Sequence, residues 1–184
     1  MRKTIVTTAF AALAAVAFAY DARAQGRSPL SVEARASAAV PTGSFADVAG
    51  GIGTGYGFGV TGELALTPAL GVYAGYSYTG FDLDDREDTL DETGLDAGVR
   101  ASFGAGGRFT PFLKGGVVYH KLETDLVEGE SRLGFEVGGG LDLPLGNVIS
   151  VTPGISYTQI PGDDDLGETD LSHVRLGVGL RFRL

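Results

Sequence analysis

The chain of 184 residues contains no cysteine, and this absence removes whole classes of function. A disulfide scaffold, a thiol nucleophile and a cysteine-ligated zinc site are all excluded. Positive charge is also scarce, because 14 lysine and arginine residues face 23 acidic ones and the formal net charge is −9. A nucleic-acid-binding protein needs a basic face, so we expect no nucleic acid among the partners.

Long apolar runs are missing except near the first residue. Arg2 and Lys3 precede the uncharged run Ile5–Ala19, and a small-x-small cleavage site follows at Ala22–Ala24. This order of a basic, an apolar and a small-residue segment is typical of a secretory signal peptide and not of a membrane anchor. We therefore expect export by a signal peptide that is removed.

The chain then divides into a signal peptide (1–24), a short N-terminal lead-in (25–30) and one domain (31–184). Removal of the signal changes the formal net charge from −9 to −11, because it carries Arg2, Lys3, Arg23 and Asp21. After Gln25 no apolar run reaches the length of a membrane helix. No long stretch shows the helical period of 3.6 residues either.

What the chain does contain is glycine, 30 residues in all, inside segments where large apolar residues alternate with small or polar ones. The last segment is the clearest, since its apolar residues alternate with Gly177, Gly179, Arg181 and Arg183. A period of two predicts a β-strand with one apolar face. The eight predicted strands are Ser31–Val40, Tyr56–Leu66, Leu70–Tyr78, Thr93–Phe103, Phe109–Leu122, Ser131–Leu143, Val148–Ile160 and Leu171–Leu184.

The connections between these segments alternate in length. The short ones are 67–69, 104–108 and 144–147, and the long ones are 41–55, 79–92, 123–130 and 161–169. Short periplasmic turns and long extracellular loops are typical of outer-membrane barrels. The predicted fold is an all-β, eight-stranded antiparallel up-and-down transmembrane barrel with its long loops outside.

A soluble, lipocalin-like barrel is the competing architecture, since it also alternates but carries its large residues inside. Two features argue against it. The small-residue face has too few charges for a surface in contact with water, whereas glycine and isolated ion pairs suit a narrow eight-stranded interior. Aromatic residues near many strand ends also resemble an interfacial girdle: Tyr56, Tyr76, Tyr78, Phe103, Phe109, Tyr119, Tyr157 and Phe182.

Three stretches and the closing strand resemble the small outer-membrane β-barrel proteins of the opacity and OmpA type. The stretches are Pro41–Asp47, Tyr73–Tyr78 and Phe109–Phe112. The resemblance implies a porin-like cell-surface protein in a Gram-negative outer membrane, inserted by the barrel assembly machinery. Such barrels usually end in an aromatic residue, whereas this chain ends in Leu184. No peptidoglycan-binding domain follows, so tethering to the cell wall is not implied.

Residue patterns for catalysis are weak. A lipid A deacylase would resemble a His-x-Ser pair. Neither His120 nor His173 has a serine two residues later. Ser172 lies on the opposite strand face from His173, and a base must reach its nucleophile. The glycine string Gly50–Gly55 precedes no helix that could hold a phosphate. We therefore predict no enzyme, no cofactor, and no catalytic, cofactor-binding or metal-binding residues.

Two predicted loops are acidic. Clustered carboxylates can bind divalent cations, although a solvated, mutually repelling surface also fits the pattern. The residues concerned are Asp82, Asp84, Asp85, Glu87, Asp88, Asp91, Glu92, Asp163, Asp164, Asp165 and Glu168. We expect a monomer that contacts lipid and lipopolysaccharide, with an extracellular ligand or divalent cations at these loops.

The predicted function is a structural or surface-interaction role, as in membrane integrity or adhesion. A narrow channel for water or small ions and a lipid A-modifying enzyme remain as alternatives. Charges in a narrow lumen need partners. We predict three pairs that plug the interior: Arg35 with Glu63, Arg181 with Glu33, and Lys114 with Glu136.

Overall fold

The computed structural model describes residues 29–43, 53–82, 89–104, 108–124, 127–162 and 170–184. The predicted signal peptide (1–24) and residues 25–28 of the lead-in lie outside this part of the chain. So do most of the acidic residues expected in loops. Among the described residues, no helix has the length and apolar character needed to cross a membrane.

Eight antiparallel strands form one closed barrel in which each strand pairs with its neighbours in the chain. β8 closes the barrel by pairing with β1, from Ser31 opposite Arg183 to Pro41 opposite His173. The strands are β1 (Leu30–Pro41), β2 (Gly55–Ala65), β3 (Leu70–Asp82), β4 (Thr89–Ser102), β5 (Thr110–Thr124), β6 (Val127–Pro144), β7 (Ile149–Ile160) and β8 (Leu171–Arg183). The predicted fold class is confirmed.

The two ends of the barrel differ. At one end, the turn end, short turns join β2 to β3, β4 to β5 and β6 to β7, and the two termini of the barrel meet. Leu184 N donates to Leu30 O at 3.0 Å there, and Leu145 N donates to Ile149 O at 2.9 Å across one turn. The opposite end, the loop end, carries the connections from β1 to β2, β3 to β4, β5 to β6 and β7 to β8. The predicted alternation in length is confirmed only in part, because the connections 42–54 and 161–170 are long, whereas 83–88 and 125–126 are no longer than the turn 103–109.

Two predicted loops are shorter than expected, because their flanking strands continue. The expected loop 79–92 is largely strand, and Phe81 pairs with Leu90 within it. Apolar and small residues continue the inward face of β3, where Thr79 and Phe81 are buried. The expected loop 123–130 likewise belongs mostly to β5 and β6. The assignment of Asp82, Asp91 and Glu92 to a loop was therefore wrong, since Asp82 lies in β3 and the other two lie in β4.

The large apolar residues face outward, as the membrane interpretation requires. Val178 is 54% exposed and Val137 is 51% exposed. Glycines on the inner face let the strands enclose a narrow lumen. A Cβ atom on Gly98, for example, would collide with the backbone oxygen of Gly115 and the hydroxyl of Tyr73. A soluble barrel would place its large residues inside, so the structure excludes the lipocalin-like alternative.

Candidate functional site

The lumen near the turn end contains a network of ion pairs supplied by five strands. Arg181 binds two carboxylates, with its Nη2 atom 2.8 Å from Glu63 Oε2 and 3.3 Å from Glu33 Oε2. Arg100 Nη2 lies 2.7 Å from Asp142 Oδ2, and Arg100 Nη1 lies 3.4 Å from Glu63 Oε2. Charge-assisted bonds of this kind are strong when they are sheltered from water.

Two of the three predicted pairs are confirmed, and one is wrong. Arg181 reaches Glu33, its register partner across the closure, and Lys114 Nζ lies 2.8 Å from Glu136 Oε1. Arg35 does not bind Glu63. It lies opposite Gly59 in the β1–β2 register and binds Glu33 at 2.6 Å.

The reason for the wrong pair is the register. Glu63 is opposite Ser31, four residues from Arg35 and close to the turn end. There it meets the arginines of β4 and β8. The strand alternation identified the correct face but did not determine which residues are neighbours on that face.

Two apolar residues that blur the alternation of β5 lie inside the barrel. The Arg100 guanidinium lies 3.6 Å from the centroid of the Phe112 ring, a cation–π contact. Val118 is fully buried at the other end of the lumen. Both residues fill the interior, so the irregular pattern reflects the packing of the lumen and not an error in the strand assignment.

Glu136 is the centre of a second network half-way along the lumen. It is 3% exposed and accepts hydrogen bonds from Tyr73 Oη at 3.1 Å, Lys114 Nζ at 2.8 Å and Arg175 Nη2 at 3.0 Å. Three donors from β3, β5 and β8 therefore converge on one carboxylate of β6. This contact ties together strands that are not neighbours in the sheet.

His120 lies between two carboxylates closer to the loop end. Its Nδ1 atom contacts Glu92 Oε1, and its Nε2 atom lies 2.8 Å from Asp96 Oδ1. An ionised carboxylate only accepts hydrogen bonds, so two carboxylates on the two ring nitrogens favour the imidazolium form of His120. Ser77 Oγ lies 3.4 Å from Nε2, which gives the outline of a serine–histidine–glutamate triad. Because Asp96 occupies Nε2, that nitrogen cannot accept a proton from Ser77.

The networks match charge with charge. The imidazolium of His120 and five Lys or Arg side chains face six carboxylates. The cations are Arg35, Arg100, Lys114, Arg175 and Arg181, and the carboxylates are Glu33, Glu63, Glu92, Asp96, Glu136 and Asp142. The remaining histidine, His173, is fully buried, and among the described residues neither of its ring nitrogens has a hydrogen-bond partner.

An apolar layer closes the lumen near the loop end. We call it the apolar seal, and it consists of Ala39, Phe81, Val118, Ile160 and Leu171, with Leu90 packed against it. These side chains come from six strands and are almost completely buried, apart from the half-buried Leu90. The strand alternation did not predict this layer. Its one signal was apolar residues on the otherwise polar face, at Val118 and at the ends of β3, β7 and β8.

Below the apolar seal, the lumen holds a cavity of about 60 Å³. Ser77, Asp96, Lys114 and Arg175 are among the residues that line it. A cavity of this size, lined by charged side chains, accommodates a few water molecules. It is far smaller than the sites that bind drug-sized ligands.

Metal ligands and the Ser172–His173 pair are two further arrangements to compare with the structure. Over the described ranges, no group of three or more histidine, aspartate and glutamate residues is arranged to hold a metal ion. Ser172 Oγ donates to Thr42 O at 2.7 Å. As its position on the opposite strand face predicts, Ser172 does not pair with His173.

The sequence model of the outer membrane protein beta-barrel domain family matches residues 6–182. The chain belongs to this family. No curated protein matches it in a sequence comparison. The membership establishes the outer-membrane barrel fold that the resemblance implied.

Solved structures with the same fold come from several bacterial surface proteins. Neisserial surface protein A (NspA) matches with a TM-score of 0.68 and 16% identity, over 87% of this chain and 100% of its own. The Yersinia pestis attachment invasion locus protein Ail, solved with the heparin analogue sucrose octasulfate, has a TM-score of 0.50, 17% identity and coverage of 85% and 98%. The outer membrane enzyme PagL has a TM-score of 0.50, 16% identity and coverage of 84% and 99%. At these identities the likeness concerns the fold.

Proposed function

We propose that the protein is a non-catalytic barrel of the bacterial outer membrane with a structural or surface-interaction role. The observation that carries this proposal is the filled lumen. Two ion-pair networks and the apolar seal occupy the interior, so the barrel acts through its outer surface and its loops. A signal peptide at 1–24 would direct its export.

The loops are the part through which such a barrel meets partners, and their composition here is acidic. The segment 83–88 has four acidic residues against Arg86, and 163–169 has four acidic residues and no basic one. Ail is a relative solved with a sulfated, anionic ligand, which loops of this composition would repel. A cationic partner, or divalent ions shared with lipopolysaccharide phosphates, fits the charge.

Two experiments separate this role from its alternatives. Planar bilayers containing the refolded protein at neutral pH should show no conductance steps, since the apolar seal interrupts the lumen. Steady conductance would favour the channel.

Lipid A isolated from cells with and without the protein should have the same mass spectrum. A lost or added acyl chain would favour an enzyme; PagL, an outer membrane enzyme, shares the fold.

The surface role itself is tested by binding. Whole cells expressing the protein should retain Ca²⁺ or a cationic ligand better than cells expressing a variant in which Asp163, Asp164 and Asp165 are asparagine. The variant keeps the size of each side chain and removes its charge. Equal retention by the two cell types would contradict an interaction through these loops.

A further inference from the structure

His173 is the buried titratable group that the charge networks leave out. It is fully buried, and neither ring nitrogen has a hydrogen-bond partner within the described part of the chain. Its ring lies edge-on to the Phe81 ring of the apolar seal, with 5.5 Å between the centroids. One acceptor lies nearby. Glu92 Oε2 is 3.6 Å from His173 Nδ1 and has no hydrogen-bond donor of its own among the described residues.

A neutral imidazole suits this dry site, and an imidazolium does not. An imidazolium has two N–H donors. Glu92 Oε2 can accept one of them after a small movement of the ring. Over the described residues, the other nitrogen has no acceptor, and leaving a buried charged donor without one is costly. Water that enters the apolar seal would supply the missing acceptor when His173 holds a proton.

The charged neighbours of His173 come from several strands. Glu92 on β4 and Glu136 on β6 attract a proton to it, whereas His120 on β5 and Arg175 on β8 repel one. Its register neighbours on β7 and β1 are Thr158 and Pro41, which do not titrate. No other carboxylate oxygen is placed as close to the ring as Glu92 Oε2 within the described part.

We propose that His173 and the apolar seal form an acid-sensitive gate, in which proton uptake by His173 draws water past Phe81 and connects the loop end with the cavity below. The side chains of both charged networks line that cavity, so the apolar seal is the barrier that water and small ions must cross. A hydrated seal binds the proton better than a dry one. Acid must then shift the barrel toward the hydrated state, because a ligand favours the state that binds it more tightly. Apolar constrictions in channels gate by the same gain and loss of water.

The test is single-barrel conductance of the refolded chain in planar bilayers, from about pH 7.5 to about pH 4.5. The wild type should be closed near neutral pH and should open in acid. Because one proton is coupled to opening, the ratio of open to closed time should rise by at most about tenfold per pH unit. His173→Asn keeps a polar side chain that can reach Glu92 but does not titrate, and it should stay closed throughout.

A second variant tests the seal separately. Phe81→Ala removes the ring that packs on His173, and it should conduct at neutral pH without acid. Heat-modifiable migration in gels checks that each variant is folded, and His173→Gln replaces the asparagine variant if that one does not fold. The proposal is overturned if the wild type stays closed in acid, if the His173 variant keeps the acid response, or if folded Phe81→Ala stays closed. If the acid response survives in the His173 variant, the response belongs to the carboxylates of the networks.

Discussion

Arg181 and Glu63 form an ion pair of 2.8 Å inside the barrel, although they lie on strands that do not pair with each other. β1 separates them in the sheet, and the contact crosses the lumen. The same guanidinium also reaches Glu33 on β1. One arginine thus ties three strands around the point where the barrel closes, which is where an up-and-down barrel depends on contacts distant in sequence.

This relationship predicts a coupling between Glu63 and Arg181. Glu63→Gln should cost on the order of 1–3 kcal/mol, because it leaves buried guanidinium groups underpaired. Urea unfolding in detergent or lipid measures the loss. The double variant Glu63→Gln/Arg181→Met should lose less than the sum of the two single variants, by about 0.5–3 kcal/mol.

The control is the pair that the sequence wrongly predicted. Glu63→Gln combined with Arg35→Met should show a weaker coupling, since these side chains share neighbours but do not touch. A stronger coupling for Arg35 than for Arg181 would contradict the register seen in the structure.

The cost of placing a charge on the lipid-facing surface should depend strongly on its depth in the membrane. Val178→Arg places a charge on the outward face of β8 and should cost roughly 2–4 kcal/mol at mid-membrane. Val148→Arg is the matched control, because Val148 is equally exposed at 54% but lies in a turn at the turn end. There the cost should be about 0–1 kcal/mol. Equal losses in lipid would mean that Val178 does not face acyl chains.

An inward-facing glycine would be a poor control. Gly177→Ser adds a Cβ atom that would come within 2.6 Å of the backbone oxygen of Ala36. This substitution should itself destabilise the barrel, because the obstacle is backbone and cannot move aside.

The orientation of the barrel predicts where proteases act. Protease added to intact cells should cleave within 83–88 and spare 104–108, if the loop end faces outward. Cleavage sites are read from fragment masses. Preferential cleavage in 104–108 on intact cells, with equal cleavage of both segments after lysis, would reverse the orientation.

The sequence predicted the fold well and the lumen in part, and the reason differs for each. Strand alternation is a local signal, so the outward face of every strand and the barrel closure could be predicted from residues such as Val178. Pairs that align across neighbouring strands, such as Glu33 with Arg181, follow from register. Contacts across the lumen do not, because they depend on barrel diameter and on the height of each residue.

The apolar seal was missed for the same reason. Phe81 and Ile160 lie at strand ends, where one more apolar residue does not reveal that six strands bring theirs to a single layer. Glu92 was also misplaced, since its acidic neighbours in the sequence favoured a loop. Its structural neighbours are His120 and His173, which are far from it in the chain.

The closing strand predicts a strict need for its last residues. Deletion of 182–184 should abolish assembly, because Phe182 pairs with Val32 and Leu184 N binds Leu30 O. Without them the barrel has an open edge in lipid, where unpaired backbone groups are costly. Leu184→Phe keeps the backbone contact and should assemble at least as well. Normal heat-modifiable migration of the deletion variant would contradict the need for these residues.

The network around Glu136 predicts that Glu136 and its ion-pair partner Lys114 contribute unequally to the stability of the barrel. Glu136→Gln should be strongly destabilising, by about 3–5 kcal/mol, since it strips the charge partner from both Lys114 and Arg175 in the lumen. Lys114→Met should cost less, because Arg175 and Tyr73 still bind the carboxylate and the Lys114 side chain is 25% exposed. Unfolding midpoints in urea, measured for both variants in the same lipid, give the comparison. If Lys114→Met is the more damaging change, Glu136 is not the group on which this part of the lumen depends.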